Sequence, residues 1–251
     1  MEQLDTNKDT LDKLRDLKLW GMYNAFKASL ENYNRESMTI DKFVNMLVCN
    51  EFDDRYNRQV ERYIRAASFR YPASIEELDY SYDRGLDRNQ MERLADLSFI
   101  GEGKPLFITG SSGTGKTFVA TALGYCACRK GMRVLYFNTA RLMGQLKQSK
   151  AAGNILKDLK RIQRADLLIM DDFALSPFDN TARSLLMDVI DDRYDTKATI
   201  FASQIPVKMW HDAIGDATIA DAILDRLVHK AIRIELYGES LRKKRAGQRS
   251  I

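Results

Sequence analysis

Residues 1–70 carry apolar side chains at the spacing of amphipathic helices. The segment TLDKLRDLKLWGMYNAFKASLEN has apolar residues every three or four positions, with Gly21 as an expected break between two short helices. A longer segment, from Thr39 to Arg70, predicts one continuous helix that ends before Pro72. We therefore expect a small helical domain over residues 1–70, which binds DNA or a protein partner.

Residues 71–86 have the pattern of a connector. Ser74 to Glu77 matches a capping box, which signals a helix start, and Gly85 predicts a turn. Asp87, with Gln90 three residues later, predicts a second helix start. We expect this connector to join the helical domain to an α/β domain that occupies residues 87–251.

From residue 104 onward, short apolar runs alternate with stretches of helical periodicity. Because strands that alternate with helices are typical of parallel sheets covered on both faces, the pattern predicts an α/β fold. Five strands are expected, at residues 106–109, 134–138, 167–171, 199–203 and 232–236.

Composition and charge narrow the class of protein. The chain has 251 residues, of which 45% are hydrophobic, so it can bury a substantial core. No apolar run approaches the roughly 20 residues that span a bilayer, and the first residues lack the apolar segment of a signal peptide. We expect a cytoplasmic protein with no membrane partner. Acidic and basic residues balance in residues 1–70, so the net charge of +4 lies in residues 71–251.

The segment after the first predicted strand matches the phosphate-loop pattern G-x-x-x-x-G-K-[ST] at every fixed position. Backbone amides of such a loop, together with the start of the following helix, form a cradle for phosphate groups. Lys116 supplies a cation for the β and γ phosphates, and the Thr117 hydroxyl is placed to bind Mg²⁺. The expected ATP-binding residues are Gly110, Ser111, Ser112, Gly113, Thr114, Gly115, Lys116 and Thr117.

Two acidic residues end the third predicted strand. The apolar run LLIM delivers Asp171 and Asp172 to the carboxyl edge of the sheet, where ligands bind in open α/β folds. We expect Asp171 to hold Mg²⁺ through water and Asp172 to polarise the attacking water. A carboxylate pair after a strand is common, but together with the phosphate loop it predicts a second half of an ATP site.

Three further polar residues are candidates for catalysis. Gln204 ends the fourth strand at the same edge, where it either orients water or the γ phosphate or is an ordinary residue at a strand end. Arg226 and Arg242 could each stabilise charge on a γ phosphate, one of them across a subunit interface. The alternative is a salt bridge, with Asp225 or Glu239 as the partner.

Two basic regions are candidates for nucleic-acid contact. Residues 141–164 contain seven basic residues and one acid, Asp158, which favours non-specific phosphate binding over an ion-paired helix surface. On the long N-terminal helix, arginines recur every three or four residues, but Asp54 and Glu61 partly neutralise that face, so DNA contact and an ion-paired surface both stay open. The candidate DNA-binding residues are Lys147, Lys150, Lys157, Lys160 and Arg161, followed by Arg55, Arg58, Arg62 and Arg65.

Taken together, the order of these motifs resembles the IstB-like transposition helper ATPases of insertion sequences. The stretches that carry the resemblance are the phosphate loop, LLIMDD, ASQIPVKMWH, GDATIADAILDRLVHKA and RIELYGESLRKK, and the likeness covers nearly the whole chain. This family is related to DnaC-type helicase loaders in the initiator branch of the AAA+ ATPases. The resemblance implies an AAA+ P-loop core with a five-stranded parallel sheet and little or no helical lid.

The resemblance also implies roles for single residues. Gly110, Gly115, Lys116 and Thr117 match the nucleotide loop of the family, and Asp171 and Asp172 match its Mg²⁺ and hydrolysis acids. Gln204 falls at the sensor after the fourth strand, Arg226 at the arginine finger that reaches a neighbour's ATP, and Arg242 at the second sensor. Many AAA+ enzymes have Glu where this chain has Asp172, and the shorter side chain implies slow hydrolysis.

The implied function is a DNA-stimulated ATPase that assembles on duplex DNA as a homo-oligomer, with ATP and Mg²⁺ at the subunit interfaces, and recruits or stimulates a transposase. One rival is a replicative helicase loader with the same ATP chemistry and a preference for single-stranded DNA. Another is an assembly protein that binds ATP at its interfaces without hydrolysing it.

Overall fold

The structure, a computed structural model, describes residues 2–31 and 38–241. The chain divides into two compact units, Met1–Arg62 and Tyr63–Ile251. None of the helices in the described ranges is both long enough and apolar enough to cross a membrane.

The first unit consists of helices. Helix α1 spans Glu2–Asp16, α2 spans Trp20–Glu31, and α3 spans Ile40–Ala67, so α3 continues past the end of this unit. The predicted long helix is thus confirmed. The predicted break at Gly21 is wrong, because the chain leaves the helix at residues 17–19 and Gly21 lies in the first turn of α2. A Cβ atom at Gly21 would overlap the backbone of Asn50, so this glycine permits close packing of α2 on α3.

A buried carboxylate links α2 and α3. Glu51 accepts hydrogen bonds from the backbone amides of Gly21 at 2.8 Å and Met22 at 3.3 Å. These amides belong to the first turn of α2, so they have no hydrogen-bond acceptors within the helix. Burial opposes ionisation of Glu51, but the hydrogen bonds from Arg55 and from these amides hold its pKa below the usual value.

The second unit contains the sheet and its covering helices. Its strands are β1 (Leu106–Gly110), β2 (Val134–Asn138), β3 (Leu167–Asp171), β4 (Ala198–Ser203) and β5 (Ile232–Leu236). Its helices are α4 (Arg88–Ala95), α5 (Ser98–Gly101), α6 (Lys116–Arg129), α7 (Thr139–Ala151), α8 (Ile155–Gln163), α9 (Asn180–Asp191), α10 (Trp210–Ile214) and α11 (Ala217–Val228). One 3₁₀ turn, Val207–Met209, precedes α10.

The strands form one parallel sheet in the order β2-β3-β4-β1-β5. This confirms the predicted α/β class, and each predicted strand is found within one residue of its expected bounds. All five strands end at the same edge of the sheet, so the residues that follow them are brought together there.

Apolar layers cover both faces of the sheet. One layer contains Val119 and Leu123 of α6 against Ile169, and the other contains Trp210 against Phe107. Because the central strands are buried on both faces, their sequences are continuous apolar runs rather than alternating ones.

A buried arginine joins the amino end of the sheet to its helices. Arg193 follows α9 and donates to the carbonyl oxygens of Ile162 at 2.6 Å and Ala165 at 2.9 Å, and to the Thr199 hydroxyl at 3.0 Å. Its guanidinium also donates to the Ala198 carbonyl at 2.5 Å. Burial lowers the pKa of Arg193 to about 10, which leaves the side chain charged at neutral pH.

Within the second unit, the segment before α4 consists of turns. The amide of Ser74 donates to the Glu77 carboxylate at 3.1 Å, as in a capping box, but no helix follows, so the predicted helix start at Ser74 is wrong. Leu78 is buried here. The helix start at Asp87 is confirmed, because its side chain accepts from the Asn89 amide at the beginning of α4.

Candidate functional site

The phosphate loop connects β1 to α6 and is built around three glycines with positive φ, namely 146° at Gly110, 83° at Gly113 and 103° at Gly115. A Cβ atom at Gly110 would overlap the Leu236 carbonyl oxygen of β5. Gly115 caps α6 with no side-chain hydrogen bond, which leaves the first amides of the helix for a ligand.

Two other segments hold this loop from outside. Arg84, which is 5% exposed, donates to the Thr114 carbonyl of the loop at 2.7 Å and to the Asp79 carbonyl at 3.0 Å. A Cβ atom at Gly115 would meet the Arg84 guanidinium, so the glycine lets the arginine approach the loop. After β5, the amide of Leu241 donates to the Gly113 carbonyl at 3.0 Å. The loop is therefore fixed on both sides.

The start of α6 and the end of β3 bring together the predicted phosphate and metal residues. Lys116 is buried and donates to the Ser111 carbonyl at 2.7 Å. The Thr117 hydroxyl lies 3.0 Å from each carboxylate oxygen of Asp171. A hydroxyl and a carboxylate at the end of an amide cradle are oxygen donors of the kind that Mg²⁺ binds. The residues present therefore fit a nucleotide with its metal.

Asp171 is almost completely buried and accepts several hydrogen bonds. Its carboxylate also accepts from the Tyr136 hydroxyl at 2.5 Å and from the Asp172 amide at 3.0 Å. Burial raises the pKa of Asp171 above its usual range; the Asp172 charge acts in the same direction, and the hydrogen bonds from Tyr136 and Thr117 act against it.

Asp172 is held by side chains from both neighbouring strands. Asn138, the last residue of β2, donates to its Oδ2 at 3.0 Å, and Gln204, after β4, donates to its Oδ1 at 3.3 Å. The backbone of Asp172 has a φ of 52°, a left-handed conformation that non-glycine residues rarely adopt and that is common at functional sites.

A cleft of about 580 Å³ runs along this edge. It is lined by Lys116, Thr117, Asp172 and Gln204, and by Arg70 and Arg84 of the segment before α4. Most of the predicted ATP site therefore converges on one concave surface. Sequence reasoning missed Asn138, Tyr136 and Arg70, although Asn138 gives the same signal as Gln204, a polar residue at the end of a buried strand.

One of the two predicted arginines, Arg226, is not among the residues that line this cleft. Arg226 lies on α11, where it pairs with Asp191 of α9 at 2.5 Å and donates to the Ala222 carbonyl at 2.8 Å. Its salt-bridge partner is thus not Asp225, the neighbouring acid that the sequence suggested for it. Arg242 lies outside the described residues.

The basic residues of α7 and α8 differ in their pairing. Lys147 pairs with Asp179, which caps α9. The side chains of the other four candidates, Lys150, Lys157, Lys160 and Arg161, are exposed and form no hydrogen bond or ion pair with any residue that the structure describes. Within residues 2–31 and 38–241, these four positive charges therefore have no counterion.

The arginines of α3 are more strongly paired. Arg55 lies 2.6 Å from Glu51, and Arg58 lies 2.5 Å from Asp54. Arg62 also interacts with other residues of the chain, whereas Arg65 is exposed. These pairs support an ion-paired surface for Arg55 and Arg58, one of the two interpretations that the sequence left open.

Comparisons with known proteins agree with this site. Residues 12–249 match the family model described as IstB-like ATP binding protein. The insertion sequence ATP-binding protein y4pL of Sinorhizobium fredii is 41% identical over 234 residues, which are 93% of this chain and 96% of the relative.

Solved structures show the same fold. A crystal structure of DnaI has a TM-score of 0.57 at 22% identity and aligns with 70% of this chain and 93% of its own. DnaA from Aquifex aeolicus, solved with AMPPCP, has a TM-score of 0.54 at 20% identity and aligns with 72% of this chain and 56% of its own. The fold is that of AAA+ P-loop proteins, and the match over nearly all of its length shows that the chain belongs to the IstB-like ATP-binding proteins of insertion sequences.

Proposed function

We propose that this chain hydrolyses ATP at the interfaces of a homo-oligomer assembled on duplex DNA, and that it recruits or stimulates a transposase. The observation that carries the proposal is the convergence of Lys116, Thr117, Asp172 and Gln204 on one cleft at the carboxyl edge of the sheet.

The loop and its neighbours bind the triphosphate. The amides of residues 110–115 and the first turn of α6 cradle the phosphates, and Lys116 contacts the β and γ phosphates. Thr117 and Asp171 hold Mg²⁺, which, when bound, neutralises charge that develops on the phosphates during transfer. Arg84 keeps the loop in its binding conformation through the Thr114 carbonyl.

Asp172 orients and polarises the attacking water. Asn138 and Gln204 donate to its two oxygens and hold the carboxylate in place. Because aspartate is one methylene shorter than the glutamate found in many AAA+ enzymes, we expect turnover to be slow. Slow turnover suits a protein whose ATP-bound state marks a DNA site for a limited time.

Arg226 acts on the ATP of a neighbouring subunit, and Arg242 acts on the ATP of its own subunit. The support for the first role is that Arg226 is not among the residues that line the cleft of its own chain, which favours a contact with the γ phosphate across an interface. This arrangement would make hydrolysis depend on assembly.

The surface of α7 and α8 contacts the DNA backbone. Its support is the group of exposed basic side chains that have no counterion among the described residues, namely Lys150, Lys157, Lys160 and Arg161. Contacts of this kind are independent of sequence and weaken steeply with salt. Lys147 joins them once its pairing with Asp179 is released, and Arg65 is a further candidate contact on α3.

The first experiment measures ATP turnover with and without duplex DNA, together with particle size in a slowly hydrolysed ATP analogue. We expect oligomers only with nucleotide and faster turnover with DNA. The Asp172→Asn variant should bind ATP and remain on DNA without turnover. Turnover that ignores DNA, or a functional Asp172→Asn variant, would contradict the proposal.

A second experiment identifies the partner class. The relatives are named as insertion sequence proteins, which favours a transposase as partner. The ATP-bound oligomer on DNA should capture an insertion-sequence transposase and not a replicative helicase. Capture of the helicase alone would favour the loader function instead.

A further inference from the structure

Tyr136 stands out among the buried residues of β2 because its hydroxyl reaches the metal-site carboxylate. The side chain is 8% exposed and belongs to the apolar layer between the sheet and α6. Its hydroxyl donates to Oδ2 of Asp171 at 2.5 Å. A phenylalanine would fill the same volume, so the packing of the layer does not account for a hydroxyl at this position.

The energetics of burial require that this hydroxyl and the carboxylate stay together. A buried polar group costs free energy unless it is hydrogen-bonded, and a buried carboxylate costs more. A phenol ordinarily keeps its proton at neutral pH, so the Tyr136 hydroxyl can act as the donor of this bond.

The hydrogen-bond inventory of Asp171 shows what Tyr136 adds. The Thr117 hydroxyl lies 3.0 Å from both oxygens but carries a single proton, so it can donate to one of them at a time. The Asp172 amide donates to Oδ1. Tyr136 is therefore the donor committed to Oδ2, and it fixes the rotation of the carboxylate group while Thr117 is shared between the two oxygens.

We propose that Tyr136 is a positioning residue for the metal site, which holds the Asp171 carboxylate in the orientation that binds the divalent cation of the nucleotide complex. This inference rests on the proposed roles of Thr117 and Asp171. Tyr136 acts through Asp171 and does not contact the nucleotide.

Tyr136→Phe tests the inference, with Tyr125→Phe as the matched control. Tyr125 belongs to the same aromatic group, since both rings pack against Phe69, at 4.6 Å for Tyr125 and 6.3 Å for Tyr136. The Tyr125 hydroxyl makes no hydrogen bond within the part of the chain that the structure describes. Both changes remove one oxygen and keep the ring, and thermal melting without metal checks that both variants fold.

The readout is the affinity for Mn²⁺, a paramagnetic substitute for Mg²⁺, measured by electron paramagnetic resonance with a non-hydrolysable ATP analogue. Loss of a residue that orients a metal ligand weakens metal binding by about 10- to 100-fold. We expect a loss in this range for Tyr136→Phe and none for Tyr125→Phe. Affinity for the analogue in EDTA should be the same in both variants and the wild type.

A double-mutant cycle decides whether the effect passes through Asp171. In an Asp171→Asn background, Tyr136→Phe should cause no further loss of Mn²⁺ affinity. Unchanged Mn²⁺ affinity in Tyr136→Phe, an equal loss in Tyr125→Phe, or an undiminished loss in the Asp171→Asn background would overturn the inference while leaving the nucleotide site intact. A wild-type protein that binds neither the analogue nor Mn²⁺ would instead overturn the proposed function, and the inference with it.

Discussion

Replacing Arg226 distinguishes between two roles of this residue, because their expected effects on ATP turnover differ by orders of magnitude. In the isolated chain its Nε atom lies 2.5 Å from Asp191 Oδ1, and the two side chains are 31% and 45% exposed. Either the arginine only forms this surface ion pair, or it also contacts the ATP of a neighbouring subunit when the protein assembles. Arg226→Ala removes both roles, whereas Asp191→Asn removes the ion pair and keeps the guanidinium.

The expected magnitudes do not overlap. An ion pair this exposed stabilises the fold by about 0–1 kcal/mol, so each variant should lose no more than this amount of unfolding free energy from the absence of the pair. An arginine that reaches a γ phosphate across an interface is worth about 10³- to 10⁵-fold in turnover. That factor corresponds to about 4–7 kcal/mol of barrier, which no surface salt bridge could supply.

The assay compares urea unfolding with DNA-stimulated ATP turnover. We expect Arg226→Ala to unfold like the wild type within about 1 kcal/mol and to lose turnover, and Asp191→Asn to retain turnover. Mixing provides a sharper test, because we expect Lys116→Ala subunits to lose ATP binding while they still present Arg226 to a neighbouring subunit. Mixtures of Lys116→Ala and Arg226→Ala should recover turnover that neither variant has alone.

Three results would refute this reasoning. Full turnover by Arg226→Ala would show that the arginine has no catalytic role. An equal loss in Asp191→Asn would show that the ion pair itself is what matters. Mixtures that stay inactive, although mixed oligomers form, would place the arginine's action within its own subunit.

Three further predictions follow from packing and charge. Gly110→Ala should lower the free energy of unfolding by at least about 1–3 kcal/mol, because the backbone has a φ of 146° there and a Cβ atom would overlap the Leu236 carbonyl. Gly101→Ala, where a Cβ atom has open space, should cost little in the same urea titration. Arg193→Met should cost at least about 3 kcal/mol by urea unfolding, because it leaves buried carbonyl oxygens without donors. Replacing Lys150, Lys157 and Lys160 of α7 and α8 with glutamine should reduce the salt dependence of DNA binding. The slope of log affinity against log salt concentration should fall by about 0.9 for each DNA phosphate that is no longer neutralised. Lys104→Gln, at the amino end of β1, is the control and should leave the slope unchanged.

The apolar runs in the sequence predicted the five strands well, because contacts with distant parts of the chain do not change where these strands form. Each central strand is buried on both faces, so its apolar run stands out against the polar residues around it. Gly21 and Ser74 misled for the opposite reason. Gly21 is needed for close packing against the backbone of Asn50, which is distant in sequence. The hydrogen bond from Ser74 to Glu77 stabilises a turn as readily as a helix start.

The linear motifs of the site were visible in the sequence, but its supporting contacts were not. Arg84 reaches a loop residue 30 positions away, and Asn138 reaches Asp172 over 34 positions. Arg226 shows the same limit, since its partner Asp191 lies on another helix and Asp225, its neighbour in the sequence, is not its partner. Spacing along the chain identifies a ligand-binding loop, whereas the side chains that hold it depend on tertiary packing.

The parallel sheet explains which of the site residues can be predicted from the sequence. Gly110, Asn138, Asp171 and Gln204 each end or directly follow a buried strand, and the shared direction of the strands brings all four to one edge. The first polar residue after each apolar run is therefore a candidate in any such fold. Tyr136 escapes this rule because it lies inside β2, on a face where its ring belongs to the core and only its hydroxyl belongs to the site. Residues of that kind can be recognised only once the carboxylate they serve has a position in space.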